Sequence, residues 1–399
     1  MENNYPRAAG LAPALRMLYA KATGKSAVAV FSGSTQVLSQ LAQQMERDQE
    51  APLVLDLKLD IEEAFGAYIN EKGAPPRLAL LPGTGVFALA ATKAKADGML
   101  AALEKGSILA KIPGIIQEII HAGLPGRMEG KICLVTGGAQ GFGEGIVRGI
   151  VAQGGYAVIA DLNEAGAKAL AEELNQAYGA GSAIGVGVNV ADEDSVQAMV
   201  QAAVLSYGGL DVLVSCAGIA IAGGLAEMTR DKFDKVTAVN YTGFFLCAKH
   251  GCVPMKTQHK YAPGQWFDII AINSKSGLEG SKNNFAYAGS KFGGVGLTQS
   301  FALELVEWGI KVNAICPGNL LDGPLWSDPE RGLFKQYLDA GKVPGAKTVA
   351  DVRKFYEDKV PMGRGRACED GAPARFYRVE HHDEPGQALR GTGGQAPPP

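Results

Sequence analysis

Histidine is almost absent from this chain. Its 399 residues include only His121, His250, His259, His381 and His382, and the first 120 residues contain none. His381 and His382 are adjacent, so on a regular element they cannot face one point, and no zinc or iron centre is expected. Cysteine is also sparse. Cys133, Cys216, Cys247, Cys252, Cys316 and Cys368 lie in or beside apolar segments without a CxxC pair, and they read as small core residues of a reducing compartment. A basic excess is missing too: the formal net charge of -3 offers no field to gather phosphate backbones, which argues against nucleic acid as a partner. No apolar run reaches the ~18 residues that a spanning helix needs. The opening MENNYPRAAG lacks a signal peptide's apolar core. The expected setting is the cytoplasm, away from membranes.

What the chain does have is a core-forming composition, 47% apolar and 20% charged, over a length too great for one ordinary domain. From residue 131 onward, short β-branched runs alternate with longer segments of helical period. The runs are 131–136, 156–161, 183–190, 210–215, 266–274 and 310–315. Strands that are apolar almost throughout are buried on both faces. The expected fold is therefore α/β, a Rossmann doubly wound parallel sheet with helices on both faces, over 126–399. Residues 1–125 read as a smaller α/β region. In it, SAVAVFSGSTQVLSQLAQQ and RLALLPGTGVFALAATKAKADGML each suggest strand, glycine turn, then helix. Ser34, Gly83 and Gly85 fall in those turns, but neither stretch has a fuller phosphate-loop pattern. KIPGIIQEIIHAGLPGRMEGK reads as a linker.

The first strand of the main region runs into TGGAQGFGEGI, where Gly137, Gly141 and Gly143 punctuate the turn into a helix. Glycines there let a backbone approach a pyrophosphate, and the helix N-terminus offers unpaired N–H groups. Asp161 ends the next strand, about 20 residues on, as a dinucleotide fingerprint requires. Its carboxylate suits the ribose hydroxyls of NAD and would repel a 2′-phosphate; the rival role is a helix cap. Gln140 is uncharged, Leu162 and Asn163 follow the acid, and no arginine stands nearby to welcome NADP.

The stretch NSKSGLEGSKNNFAYAGSK, 273–291, places Tyr287 and Lys291 four residues apart, hence on one helical face. Tyrosine is a weak base with a reference pKa near ~10. A neighbouring ammonium, or an oxidised nicotinamide, favours its phenolate. That pairing suits the proton transfer that accompanies hydride movement at an alcohol carbon. Ser274, thirteen residues upstream, can hold the substrate oxygen; Ser276 is the rival.

On these residues the chain resembles the short-chain dehydrogenase/reductase family from about residue 128 to its end. The TGxxxGxG pattern is met by Thr136, Gly137, Gly141 and Gly143, and YxxxK by Tyr287 and Lys291, with Ser274 followed by Gly277. The resemblance implies that Asn240, in VNYTGFF, anchors a proton-carrying water chain to Lys291. It implies that Pro317 and Gly318 lie beside a nicotinamide. It places Gln140, Phe142, Leu162, Asn189, Val190, Cys216, Ala217 and Gly218 around the cofactor, together with Tyr287 and Lys291. Three positions depart from the usual pattern: Cys216 in place of an asparagine, Asn189 in place of an acid, and Asp322 in place of a threonine.

Within the family, INSKSGLEGSKNN, KFGGVGLTQSFALEL, GNLLDGPLW, DKVPMGRG and GQALRGTGGQ are similar to the branch that interconverts sorbitol 6-phosphate and fructose 6-phosphate with NAD. That implies a polyol or sugar phosphate as substrate and a homo-oligomer, dimer or tetramer. Lys275, Lys282, Asn283 and Asn284, and with less support Arg331 and Lys335, are candidates to grip it; the rival reading of each is a solvated loop. The alternatives are an unphosphorylated polyol, deoxysugar or aldonate, or a nucleotide-binding relative without turnover. VFSGSTQVLSQL and PRLALLPGTGVFAL are similar to the segment preceding the dehydrogenase in aldolase fusions. Without histidines, that region is expected to pack or oligomerise and not to hold a metal-dependent aldolase site. Finally, Gly371 and Pro373 interrupt the place where relatives have a late helix, before a last strand.

Overall fold

The computed structural model describes residues 5–46, 51–56, 60–106, 126–360 and 388–390. The chain is α/β. Its large sheet consists of β5 (Ile132–Thr136), β6 (Tyr156–Asp161), β7 (Ala183–Gly187), β8 (Val212–Ser215), β9 (Phe267–Ile272), β10 (Ile310–Cys316) and β11 (Ala388–Arg390). These seven strands are all parallel, in the order β11-β10-β9-β8-β5-β6-β7. Alternate residues of the central strands serve two cores. Cys133 and Val135 join α5 (Gly141–Ala152) and α6 (Glu164–Tyr178) on one side. Ile132 and Leu134 join α7 (Glu193–Tyr207), α9 (Gly243–Tyr261) and α10 (Phe285–Leu305) on the other. This period of two, buried on both faces, is why the strands read as unbroken apolar runs.

The N-terminal region contributes a second, four-stranded sheet. It is built from β1 (Val28–Ser32), β2 (Leu53–Val54), β3 (Leu78–Leu81) and β4 (Gly85–Ala90), in the order β1-β4-β3-β2. Its helices are α1 (Tyr5–Thr23), α2 (Thr35–Glu46), α3 (Ile61–Lys72) and α4 (Lys93–Glu104). One expectation is corrected here. Residues 77–100 are not a single strand, turn and helix, because Gly83, at φ +71°, turns the chain back and β3 pairs antiparallel with β4. Gly85 is needed because a Cβ there would strike the Phe31 ring on β1. The glycines therefore serve a hairpin and not a phosphate loop.

One face of this small sheet is covered by α2 and α4. The other, with Ala29, Phe87 and Leu89, shares a single core with α1, α3, α7 and the large sheet. Gly208, in a left-handed C-cap of α7, lies against Ala29. Most of the expected linker and the interrupted late helix fall outside the described residues. The last strand is present as β11, paired to β10.

Candidate active site

The glycine loop connects β5 to α5. Gly137 and Gly141 adopt φ of +63° and +59°, values that side-chain-bearing residues rarely take. A Cβ on Gly137 would lie 2.9 Å from Ala217 Cα, and one on Gly143 would strike the Gly137 carbonyl. Thr136, at the end of β5, accepts hydrogen bonds at Oγ1 from the amides of Cys216 and Ala217 (3.1 and 3.2 Å), tying the loop to the end of β8. Gln140 is the N-cap of α5 and offers no side-chain cap bond; Phe142 is half-buried.

Asp161 sits at the tip of β6 and faces this loop. Its Oδ2 accepts from the Ala139 amide at 3.0 Å and its Oδ1 from the Asn163 amide at 2.9 Å. The helix cap is Asn163, so capping does not explain the aspartate. Leu162 is exposed beside it. Asn189 is exposed and accepts from the Ala191 amide, whereas Val190 is buried.

The second group converges from two elements. Ser274 follows β9, while Tyr287 and Lys291 lie one turn apart on α10, all but buried. Ser274 hydrogen-bonds the Tyr287 phenol. Ser276, its rival, only donates its amide to the Ser274 hydroxyl at 3.1 Å. Gly277 is required: a Cβ would approach both Asn273 Oδ1 and the Lys291 carbonyl to 2.9 Å. Lys291 Nζ donates to the Ile272 carbonyl at 3.0 Å and stands 5.7 Å from the Tyr287 ring centre.

Asn240 lies in a π-turn, Ala238–Thr242, between α8 (Arg230–Thr237) and α9. Its Oδ1 accepts from the Ile219 amide at 2.8 Å, and its Nδ2 donates to the Ile219 carbonyl and Ser290 Oγ. Gly218 lies against Asn240 and faces Lys291 Nζ. Asn240, Ser215, Ala217, Asn273 and Lys291 line a small polar cavity. The Pro317 carbonyl accepts the Lys275 amide at 3.1 Å, which joins the turn of Pro317 and Gly318 to the Ser274 segment.

The electrostatics depart from expectation. Burial raises the Tyr287 phenol above its ordinary value, the Ser274 hydrogen bond opposes that, and Cys216 and Cys316 add to the rise. Burial likewise pushes the Lys291 ammonium down. In the chain alone, desolvation outweighs the Ser274 hydrogen bond, and the phenol stays protonated.

A cover lies over this centre. It comprises α11 (Pro324–Ser327), α12 (Leu333–Asp339) and α13 (Val349–Asp358), whose Trp326, Phe334, Tyr337 and Tyr356 form one aromatic cluster with Tyr287. Asp322 is bound here to Arg353 at 2.6 Å. The remaining candidates separate. Asn283 has φ +56° and bonds Ala340, which makes it a turn residue. Lys335 pairs with Asp339 at the surface, and Lys282 and Arg331 are exposed. Asn284 donates to the Tyr337 hydroxyl at 3.1 Å. Sequence reasoning passed over Tyr337 and Lys342, which lie in a polar segment whose fold no local pattern announces.

Fold and site together define a Rossmann-type protein with a Ser–Tyr–Lys group at the carboxyl ends of its strands. The chain belongs to the short chain dehydrogenase family, whose pattern matches residues 131–327. It is 37% identical over 273 residues to sorbitol-6-phosphate 2-dehydrogenase of Escherichia coli K12, covering 66% of this chain and 98% of that one. The crystal structure of sorbitol-6-phosphate 2-dehydrogenase SrlD from Erwinia amylovora superposes with a TM-score of 0.58 at 38% identity, covering 66% and 99% of the two chains. A crystal structure of a variant actinorhodin polyketide ketoreductase with NADPH gives 0.58 at 28% identity, covering 67% and 97%.

Proposed function

We propose that the chain is an NAD-dependent dehydrogenase that moves a hydride between a nicotinamide and a polyol or sugar phosphate, sorbitol 6-phosphate and fructose 6-phosphate being the best single pair. The observation that carries the reading is the convergence of Ser274, Tyr287 and Lys291 beneath the cover, beside a glycine loop whose side-chain-free surface suits a dinucleotide. Similarity to the sorbitol-6-phosphate dehydrogenases supports the substrate class.

In this reading the nicotinamide supplies the carbon that carries the hydride. The Ser274 hydroxyl holds the substrate oxygen, and Tyr287 gives a proton to it in reduction or takes one in oxidation. Lys291 passes that proton on through water in the polar cavity beside Asn240. Asn273 Oδ1, buried with no partner among the described residues, provides an acceptor for such a water. Asp161, next to the loop, selects NAD by accepting ribose hydroxyls and repelling a 2′-phosphate. Exposed Phe245 and Val253 on α9, with Phe292 and Leu303 on α10, offer a surface for a second copy of the chain and support a dimer or tetramer.

The direct test is NADH oxidation at 340 nm with fructose 6-phosphate as acceptor. Rapid oxidation that is lost with fructose is expected; equal rates on both would move the function to an unphosphorylated polyol. Asp161→Ala should raise the NADPH-to-NADH ratio of kcat/KM by about tenfold or more, as expected when a close charge repulsion is removed. An unchanged ratio would remove Asp161 from cofactor choice.

A further inference from the structure

Lys342 leaves the end of α12 and turns back over the cover. Its Nζ donates to Ser281 Oγ at 3.1 Å and rests 3.9 Å from the Tyr337 ring centre. Tyr337 in turn holds Asn284, which precedes the helix of Tyr287. Two further lysines, both exposed, carry charge that acts on the Lys342 ammonium. Lys275 follows Ser274 directly, and Lys359 stacks on Phe355 at 4.1 Å and on Tyr356 at 5.8 Å, at the end of α13. Lys342 feels both of the others, and Lys275 feels Lys359. Burial first, then Lys275 and Lys359, pushes the Lys342 ammonium down to about 8, and burial and Lys359 lower Lys275.

Their acidic neighbours are committed elsewhere. Asp339 pairs with Lys335, Asp322 and Glu357 with Arg353, and Asp351 with the amides of Lys347 and Thr348. Only the exposed Glu279 offsets Lys275. None of the three lysines has an ion pair among the described residues. Like charges gathered in this way repel, so a site that holds three with only Glu279 opposing Lys275 among the described residues is suited to a multivalent anion. A phosphate ester brings nearly two charges and three acceptor oxygens, whereas a carboxylate would leave the cluster overcharged. Between the lysines and Tyr287, Asn284 is 2% exposed, and its Oδ1 lacks a partner among the described residues, an acceptor for a substrate hydroxyl.

We propose that Lys342, with Lys275 and Lys359, reads the phosphate of a hydroxylated substrate whose reacting carbon lies at Ser274 and Tyr287. This rests on the dehydrogenase reading and gives to Lys342 the part that the sequence offered to Lys282. The aromatic faces of Tyr337, Phe355 and Tyr356 hold the Lys342 and Lys359 ammoniums, so that part of the site is formed before the ligand arrives.

The test uses the full chain saturated with NAD, which cannot reduce a ketone, and measures by calorimetry the binding of fructose 6-phosphate, fructose and inorganic phosphate. Fructose 6-phosphate is expected to bind at least about tenfold tighter than fructose, and Lys342→Gln to remove about that factor. Lys282→Gln should change nothing. Binding should weaken above about pH 8 as Lys342 loses its proton. Lys342→Arg should abolish that decline, because guanidinium stays charged; the other titrating groups facing Lys342, namely Lys275, Lys359 and Tyr337, are the same in both proteins. Unchanged affinity in both Lys342→Gln and the triple glutamine variant would overturn the proposal, as would no binding of either phosphate compound. Lysine-dependent binding without any NADH oxidation would keep this site and defeat the dehydrogenase reading instead. Inorganic phosphate binding as tightly as the sugar phosphate would overturn the part assigned to Asn284 and the substrate hydroxyls.

Discussion

Tyr287→Phe should lower kcat by about 10²–10⁴-fold, the usual worth of a positioned general acid or base, while NADH binds as before. The substitution deletes one oxygen. The ring remains to pack with Leu321, Trp326 and Tyr337 in the cover, so folding should be preserved and a melting curve should move little. What disappears is the proton carrier that Ser274 holds beside the expected substrate oxygen. The loss should fall on kcat more than on KM, because the interaction is made chiefly as charge develops on that oxygen. The chain alone holds the phenol up and the Lys291 ammonium down. Oxidation of an alcohol should therefore depend on positive charge brought by the oxidised cofactor, and its rate should rise with pH. Reduction, which needs the phenol protonated, should stay flat across neutral pH. Stopped-flow NADH signals would read both, with sorbitol 6-phosphate and NAD for oxidation and fructose 6-phosphate and NADH for reduction. Turnover that survives in Tyr287→Phe would end the mechanism.

The parts of this site that the sequence disclosed share one property: local geometry encodes them. Tyr287 and Lys291 meet because a helix turns once in four residues, and Gly137, Gly141 and Gly143 show their purpose because only glycine tolerates that loop. The large sheet was legible for the same reason, since Ile132 and Leu134 serve one core and Cys133 and Val135 the other. The hairpin at Gly83 was misread because strand–turn–strand and strand–turn–helix look alike over short apolar runs. Lys342 escaped notice because its meeting with Ser281 spans 61 positions and depends on how the cover folds back. The rise of Tyr287's pKa was hidden as well, because spacing shows which charges are near and says nothing of how dry their surroundings are.

Arg16→Met should destabilise the whole chain by about 3–5 kcal/mol, the penalty for stranding a buried charge. Arg16 grips Asp211 with two parallel hydrogen bonds of 2.9 and 2.8 Å and donates Nε to the Ala27 carbonyl at 2.7 Å. Both side chains are nearly inaccessible, at 4% and 0%. Asp211 also accepts from Gln258 Nε2 and from the Ile132 amide at the head of β5. One carboxylate thus joins α1 to α9 and to the strand that ends in the glycine loop. Arg16 holds its carboxyl below the usual range although burial pulls the other way, so removing the guanidinium leaves either a bare buried anion or a protonated acid that satisfies fewer donors. Methionine fills the space without the charge, which isolates the electrostatic loss from a cavity. Adding Asp211→Asn should recover part of the loss, because an amide is cheaper to bury than an unpaired carboxylate, and the cycle gives the coupling directly. The measurement is the urea midpoint of the full chain. If residues 1–125 were a passive attachment, the midpoint would not move and the dehydrogenase core would unfold separately. A single transition at lower urea would show that the first helix is built into the core that supports the cofactor loop.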